Sequence, residues 1–196
     1  MAEKQTGPLR RTEGGAHAKP KEPARPPRHS RRSRRIWPLV LLAAFALCVA
    51  LAVAFVPVLE VTGDSMTPTL ASGDVLLLQK TQRLAPGDIC GFRWEDKILL
   101  KRVIGGPGDT VDIDDEGKVS VNGQLLDEPY VEESALGECD INFPYQVPEN
   151  CYFVLGDHRK TSIDSRSTVV GCVKTDQIVG RVWVRVAPLG RFGFIR

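Results

Sequence analysis

Hydrophobic and polar positions divide the chain into three stretches of different character. From Ile36 to Leu59 there is no charged residue, a run of 24 positions. At 1.5 Å per residue such a helix spans about 36 Å, against roughly 30 Å of bilayer hydrocarbon. The pattern therefore predicts one transmembrane helix over 36–59. Trp37 suits the headgroup interface, Pro38 is tolerated in a first helical turn, and Pro57 closes the run. Beyond Glu60 the pattern changes to short runs of Val, Ile and Leu cut by Gly, Asp and Pro. Strands are predicted at Glu60–Thr62, Val75–Leu78, Ile98–Leu100, Thr110–Ile113, Lys118–Val121, Tyr152–Leu155 and Val179–Ala187. Thr110–Ile113 and Lys118–Val121 alternate around Asp114-Asp115-Glu116-Gly117, which reads as a hairpin turn. No helical stripe persists over three turns past residue 60, so this part is expected to be all-β.

Residues 1–35 lack any periodic apolar face. They are rich in Arg, Pro, Gly and Ser, and nothing offsets the entropy of ordering them, so a disordered arm is expected. The arm holds 11 basic and 3 acidic residues, whereas 36–196 holds 15 basic and 21 acidic. The basic character is thus a tail, and a nucleic-acid-binding core is excluded because its footprint belongs on the folded part. Arginines before the run, with Glu60 and Asp64 after it, place the N-terminus in the cytoplasm and residues 60–196 outside. Small-x-small sites such as Ala50-Leu51-Ala52 raise the alternative of a cleaved leader. The run is longer than a leader's apolar region and continues to Leu59, which favours an uncleaved signal anchor.

Candidate chemistry lies in the third stretch. His158 is its only histidine, and Cys90, Cys139, Cys151 and Cys172 form no CxxC, so no metal site is expected. Gly105-Gly106-Pro107-Gly108-Asp109-Thr110 lacks the Lys-Ser/Thr ending of a phosphate loop and reads as a turn. Lys101 is more informative. It sits within Ile98–Ile104, where strand alternation puts it on one face with Leu99 and puts Leu100 with Arg102 on the other. An inward lysine whose pKa is depressed by burial can serve as a general base; a surface lysine is the plainer alternative. Ser65, in the constrained loop Thr62–Leu70, is the candidate nucleophile.

Three segments carry a resemblance. Gly63-Asp64-Ser65-Met66-Thr67-Pro68-Thr69-Leu70, Lys101-Arg102-Val103-Ile104-Gly105-Gly106-Pro107-Gly108-Asp109 and Leu155-Gly156-Asp157-His158-Arg159-Lys160-Thr161-Ser162-Ile163-Asp164-Ser165-Arg166 occur in that order. They resemble the boxes of bacterial type I signal peptidases, the serine–lysine leader peptidases, in their Gram-positive-like form with a single anchor. The resemblance implies two antiparallel sheets forming an extracytoplasmic peptidase domain over 60–196. It implies Ser65 as nucleophile and Lys101 as general base, with Ser162 hydrogen-bonding the lysine amine and an Asp164–Arg166 ion pair supporting the site. Signal peptides of secreted preproteins are the implied substrates, cleaved after small residues. They would dock as an extended strand along Glu60–Thr62, around Val61, and along the strand at Leu99. No cofactor or metal is implied, and the expected partners are the preprotein and the bilayer, with the enzyme a monomer. Two departures stand out. His158 replaces the usual Asn and is read as a turn residue. Gly63 stands where some relatives carry a serine that completes the oxyanion hole, leaving the Ser65 N–H as the assigned donor.

Rival readings fit less of the chain. The eukaryotic or archaeal type of signal peptidase carries His at the base position, which Lys101 occupies. A sortase-like transpeptidase using Cys172 and His158 leaves the three boxes unexplained, and a silent membrane-tethered binding module has no reason to keep Ser65, Lys101 and Ser162 together. A Cys139–Cys151 bridge is expected across the loop Asp140–Asn150, with Cys90–Cys172 as a second pairing. At the C-terminus Phe192, Phe194 and Ile195, with Trp183 and Arg185 upstream, suit either a headgroup layer or a last core strand.

Overall fold

The computed structural model describes residues 33–54 and 56–195. The chain divides into two units, Met1–Ala44 and Phe45–Arg196. Most of the expected basic arm lies outside the described residues. The helix α1 runs Ser33–Ala54 and so begins three residues before the uncharged run. Pro38 consequently falls inside it rather than in its first turn, where it removes one backbone hydrogen bond. Side chains 36–50 are all exposed, among them Trp37, Leu42 and Phe45. Among the described residues no helix is long and apolar enough to cross a membrane.

From Val58 onward the chain is β throughout, apart from short turns of 3₁₀ helix. Its strands are β1 (Val58–Glu60), β2 (Val75–Gln79), β3 (Ile89–Trp94), β4 (Lys97–Gly105), β5 (Thr110–Ile113), β6 (Val119–Val121), β7 (Gln124–Leu125), β8 (Tyr145–Gln146), β9 (Cys151–Leu155), β10 (Val173–Lys174), β11 (Ile178–Ala187) and β12 (Gly193–Phe194). They form two antiparallel sheets, as expected. The larger has the order β1-β2-β11-β3-β4-β9-β10, with β12 also on β11; the smaller runs β7-β6-β5-β8.

The patterning explains the layers. In β9 every residue is buried, so its apolar run is continuous instead of alternating. Phe153 and Leu155 pack with Ile104, Val111 and Val119 beneath the small sheet. Tyr152 and Val154 point the other way, to Cys90, Phe92 and Val103. A third cluster of Val61, Met66, Leu70, Leu76, Leu78, Ile89 and Val182 lies under β1 and β2. Burying each such side chain contributes about 1.5–3 kcal/mol. β5 and β6 pair as Val111↔Val121 and Ile113↔Val119 across the expected turn. Gly117 takes φ 80° there, and a Cβ would meet the Ala135 backbone at 2.3 Å.

Three expectations need correction. The first strand is Val58–Glu60, not Glu60–Thr62, although Val61 extends the β1–β2 ladder, its N–H donating to the Asp74 carbonyl at 2.8 Å and its carbonyl accepting from Gly73 N–H at 2.9 Å. Neither expected disulfide forms. All five cysteines are free, and the Cys172 thiol lies 3.0 Å from Cys151 Sγ, so the nearest partners are these two. Phe192 and Phe194 do not close the core: they are 60% and 66% exposed, while Ile195 alone packs against the apolar cluster under β2.

Candidate active site

Ser65 sits on the loop joining β1 to β2. Thr67 N–H and Thr67 Oγ1 both donate to the Asp64 carbonyl, and Leu70 N–H donates to the Met66 carbonyl. Met66 and Leu70 are buried in the cluster below, so the turn is pinned from beneath while Ser65 stays half-buried at its surface. Gly63, at φ 93°, occupies backbone space that glycine alone enters readily. The Ser65 N–H donates to no group of the described residues, and the Ser65 carbonyl accepts from His158 N–H at 3.1 Å.

Lys101 lies in the middle of β4 and reaches Ser65 directly, Nζ to Oγ 2.7 Å. It is 3% exposed. Burial lowers its pKa from 10.5 to about 8, with Arg166 acting in the same sense against the opposing carboxylates of Asp164, Asp157 and Asp64. None of these carboxylates hydrogen-bonds the amine. Its neighbour Arg102 points to the other face and is fully paired. Arg102 Nε and Nη2 donate to Asp157 at 2.8 and 2.7 Å, Nη1 donates to the Gly87 carbonyl, and the guanidinium stacks 3.9 Å from the Tyr130 ring centre. Asp157 also accepts from Thr69 Oγ1 at 2.6 Å. One strand thus holds two buried cations, one neutralised and one left free to lose its proton.

The third box wraps this pair. Asp164 and Arg166 form a fully buried bidentate pair at 2.8 Å, as expected. Asp164 also accepts from Gly156 N–H, and Arg166 donates to the carbonyls of Ala135, Leu136 and Ser162. The expected bond from Ser162 to Lys101 is not formed. Ser162 Oγ is buried with no partner, the sole such side-chain atom among the described residues. It lies against Gly156, where a Cβ would come 2.1 Å from Ser162 Oγ and 2.5 Å from the Ser65 carbonyl oxygen. His158 behaves as a turn residue: its Nδ1 is 3.0 Å from Thr161 Oγ1 and 3.9 Å from Asp64, and it makes no bond to Ser65 Oγ.

A groove of about 430 Å³ leads to the pair, lined by Glu60, Val61, Ser65, Ile98, Leu99 and Lys101 among others. Val61 is buried at its floor and Leu99 is half-buried. Both walls offer strand edges. β1 pairs only with β2, and β9 pairs with β4 only from Arg102 onward. Patterning missed the Arg102–Asp157 pair because its members lie 55 residues apart, on β4 and just after β9. It also missed the Arg159–Glu128 pair, whose two bonds are 2.6 and 3.0 Å.

The family described as signal peptidase, peptidase S26, matches residues 34–187. The signal peptidase I of Bacillus caldolyticus is 37% identical over 84% of this chain and 96% of its own length. A Synechocystis protein named "Probable signal peptidase I-2" is 36% identical over 69% of this chain, which spans 65% of that relative. A crystal structure of a signal peptidase I from Enterococcus faecalis V583 aligns at 31% identity with a TM-score of 0.41, covering 50% of this chain and 96% of that one.

Proposed function

Because the chain belongs to the signal peptidase family, peptidase S26, and is a serine peptidase, we propose that it removes signal peptides from secreted preproteins through a Ser65–Lys101 dyad. The observation that carries the reading is the 2.7 Å contact between Ser65 Oγ and a buried lysine of lowered pKa. Neutral Lys101 takes the Ser65 proton as Oγ attacks the scissile carbonyl. The unengaged Ser65 N–H holds the oxyanion. The lysine, now charged, gives its proton to the leaving amine, and water then hydrolyses the acyl-enzyme with Lys101 again as base. The buried Asp164–Arg166 pair braces the segment beside Lys101, with Arg166 also donating to the Ser162 carbonyl. Ser162 Oγ, buried and without a partner among the described residues, has bonding capacity to spare for the charged amine that forms during the reaction.

The substrate lies extended between the two free edges, along Glu60–Thr62 on one side, where the Val61 N–H and carbonyl are themselves held by Asp74 and Gly73, and along Lys97–Lys101 on the other. Val61 and Leu99 crowd the pockets for the residues preceding the cut, which favours small side chains. The uncharged run to Leu59 supports a membrane anchor with the N-terminus inside and the peptidase unit outside, as a single-pass monomer at the bilayer.

The test is cleavage of a signal-peptide-bearing preprotein by the full chain in detergent. Wild type is expected to cut once, after a small residue. Ser65→Ala and Lys101→Ala are each expected to lose roughly 10⁴-fold or more, since either change disables the whole dyad. A folded Lys101→Ala protein of near-normal activity overturns the mechanism.

A further inference from the structure

The structure brings two thiols together beside the segment that carries the third box. Cys48 lies on α1, Cys90 is wholly buried with its thiol pushed up to about 12 by that burial, and Cys139 donates to the Ile141 carbonyl. Cys151 and Cys172 differ from these. Cys151 opens β9 and pairs with Lys174 of β10, so Cys172, two residues earlier, falls on the same side of the ladder. The Cys172 thiol donates to Cys151 Sγ at 3.0 Å. A disulfide needs about 2.05 Å, so closure asks for a movement of about 1 Å. The backbone between them is already drawn shut. Ser165 Oγ accepts from Val154 N–H and donates to the Gly171 carbonyl, while Gly171 N–H returns to the Ser167 carbonyl. An open cavity of about 630 Å³, lined by Glu149, Asn150, Lys174 and Thr175, gives a reagent access to both sulfurs.

We propose that Cys151 and Cys172 are a redox-active pair that closes into a disulfide, stapling the segment that holds Asp157, Ser162, Asp164 and Arg166 around Lys101. The oxidant is a disulfide of the glutathione or thiol-oxidoreductase class. Cys172, the more exposed of the two, loses its proton and attacks one oxidant sulfur, forming a mixed disulfide and releasing one oxidant thiolate, which takes up a proton. Cys151 then loses its proton and attacks Cys172 Sγ, and the second oxidant thiol leaves. Two protein thiols are oxidised to one disulfide, and one oxidant disulfide is reduced to two thiols. Burial and the Cys172 contact push the Cys151 thiol up to about 11, which keeps it protonated at neutral pH and leaves the first attack to Cys172. Closure ties the chain before the third box to the chain after it, Cys151 of β9 to Cys172 just before β10. Oxidation in the cell rests on the extracytoplasmic placement proposed above; the pairing itself does not.

The experiment incubates the full chain in detergent with reduced and oxidised glutathione, then alkylates, digests and maps cross-links by mass spectrometry. The expected result is a single Cys151–Cys172 cross-link in the folded protein, with Cys90 and Cys139 alkylated only after denaturation or singly. The oxidised form is expected to melt about 10 °C above the reduced form, a difference that Cys172→Ser abolishes and Cys90→Ser preserves. Free Cys151 and Cys172 thiols after oxidation of the folded chain, or a cross-link to Cys139 or Cys90 instead, overturn the proposal. Mapping the protein in membranes drawn under alkylating conditions separates the two claims. A pair that forms with glutathione but is reduced in those membranes overturns its oxidation in the cell and speaks against the outward placement, while leaving the pairing standing.

Discussion

Lys101 is expected to weaken the fold at neutral pH in exchange for its chemistry, and Lys101→Met exposes that cost. Burial lowers the lysine pKa from 10.5 to about 8. At 1.36 kcal/mol per unit, holding the charged amine in the folded protein costs about 3 kcal/mol. The sign follows from proton binding. Below pH 8 the lysine is charged both folded and unfolded, and the full penalty is present. Between pH 8 and 10.5 the folded protein has released the proton and the unfolded chain still holds it, so stability rises with pH. Methionine removes the charge at similar volume and forfeits the hydrogen bond to Ser65, worth about 1 kcal/mol. The net gain is about 2 kcal/mol at pH 7, or roughly 8 °C in Tm, and shrinks to about 1 kcal/mol at pH 9. Thermal and denaturant unfolding of the full chain in detergent at the two pH values reads it, alongside a cleavage assay that should fall to background. A variant less stable than wild type at pH 7, or a gain unchanged between pH 7 and 9, refutes the claim that burial holds this lysine near neutrality.

Cleavage should also report the same group in the wild type: kcat/KM is expected to be half-maximal near pH 8 and to fall about tenfold per unit below it, and a profile flat down to pH 6 contradicts a lysine base. Asp157→Ala strands the 2%-exposed Arg102 without its carboxylate, so a loss of about 3–5 kcal/mol is expected in denaturant unfolding; a loss under 1 kcal/mol shows that the pair is dispensable. Gly156→Ala drives a methyl into Ser162 Oγ and the Ser65 carbonyl, and activity should drop at least about 100-fold with folding retained by circular dichroism. Wild-type rates in that variant mean the Ser65 loop is not positioned by this contact.

Much of the architecture was legible because it depends on local pattern. Thr110–Ile113 alternates and appears as β5 without change of bounds, and the apolar run Tyr152–Leu155 appears as β9. Short strands were not legible. Asn122-Gly123 forms the tight turn between β6 and β7 with φ of 52° and 78°, yet two residues of β7 carry too little pattern to register as a strand. Ser65 and Lys101 stood out as a hydroxyl in a rigid loop and a cation in an apolar strand. Their approach to 2.7 Å depends on a crossing of β4 past the Ser65 loop, 36 residues apart, which no local rule encodes. The cysteine pairing failed for the same reason. Sequence proximity favoured Cys139–Cys151, whereas the β9–β10 register places Cys172 beside Cys151.

The most direct measurement of the central claim is the site of the acyl adduct. The full chain, mixed with a signal-peptide substrate and quenched in acid within a turnover, is digested and mapped by mass spectrometry. A peptide acyl group esterified to Ser65 is expected in the wild type and none in Lys101→Ala. An adduct on any other residue, or full acylation of Ser65 without Lys101 at neutral pH, contradicts it.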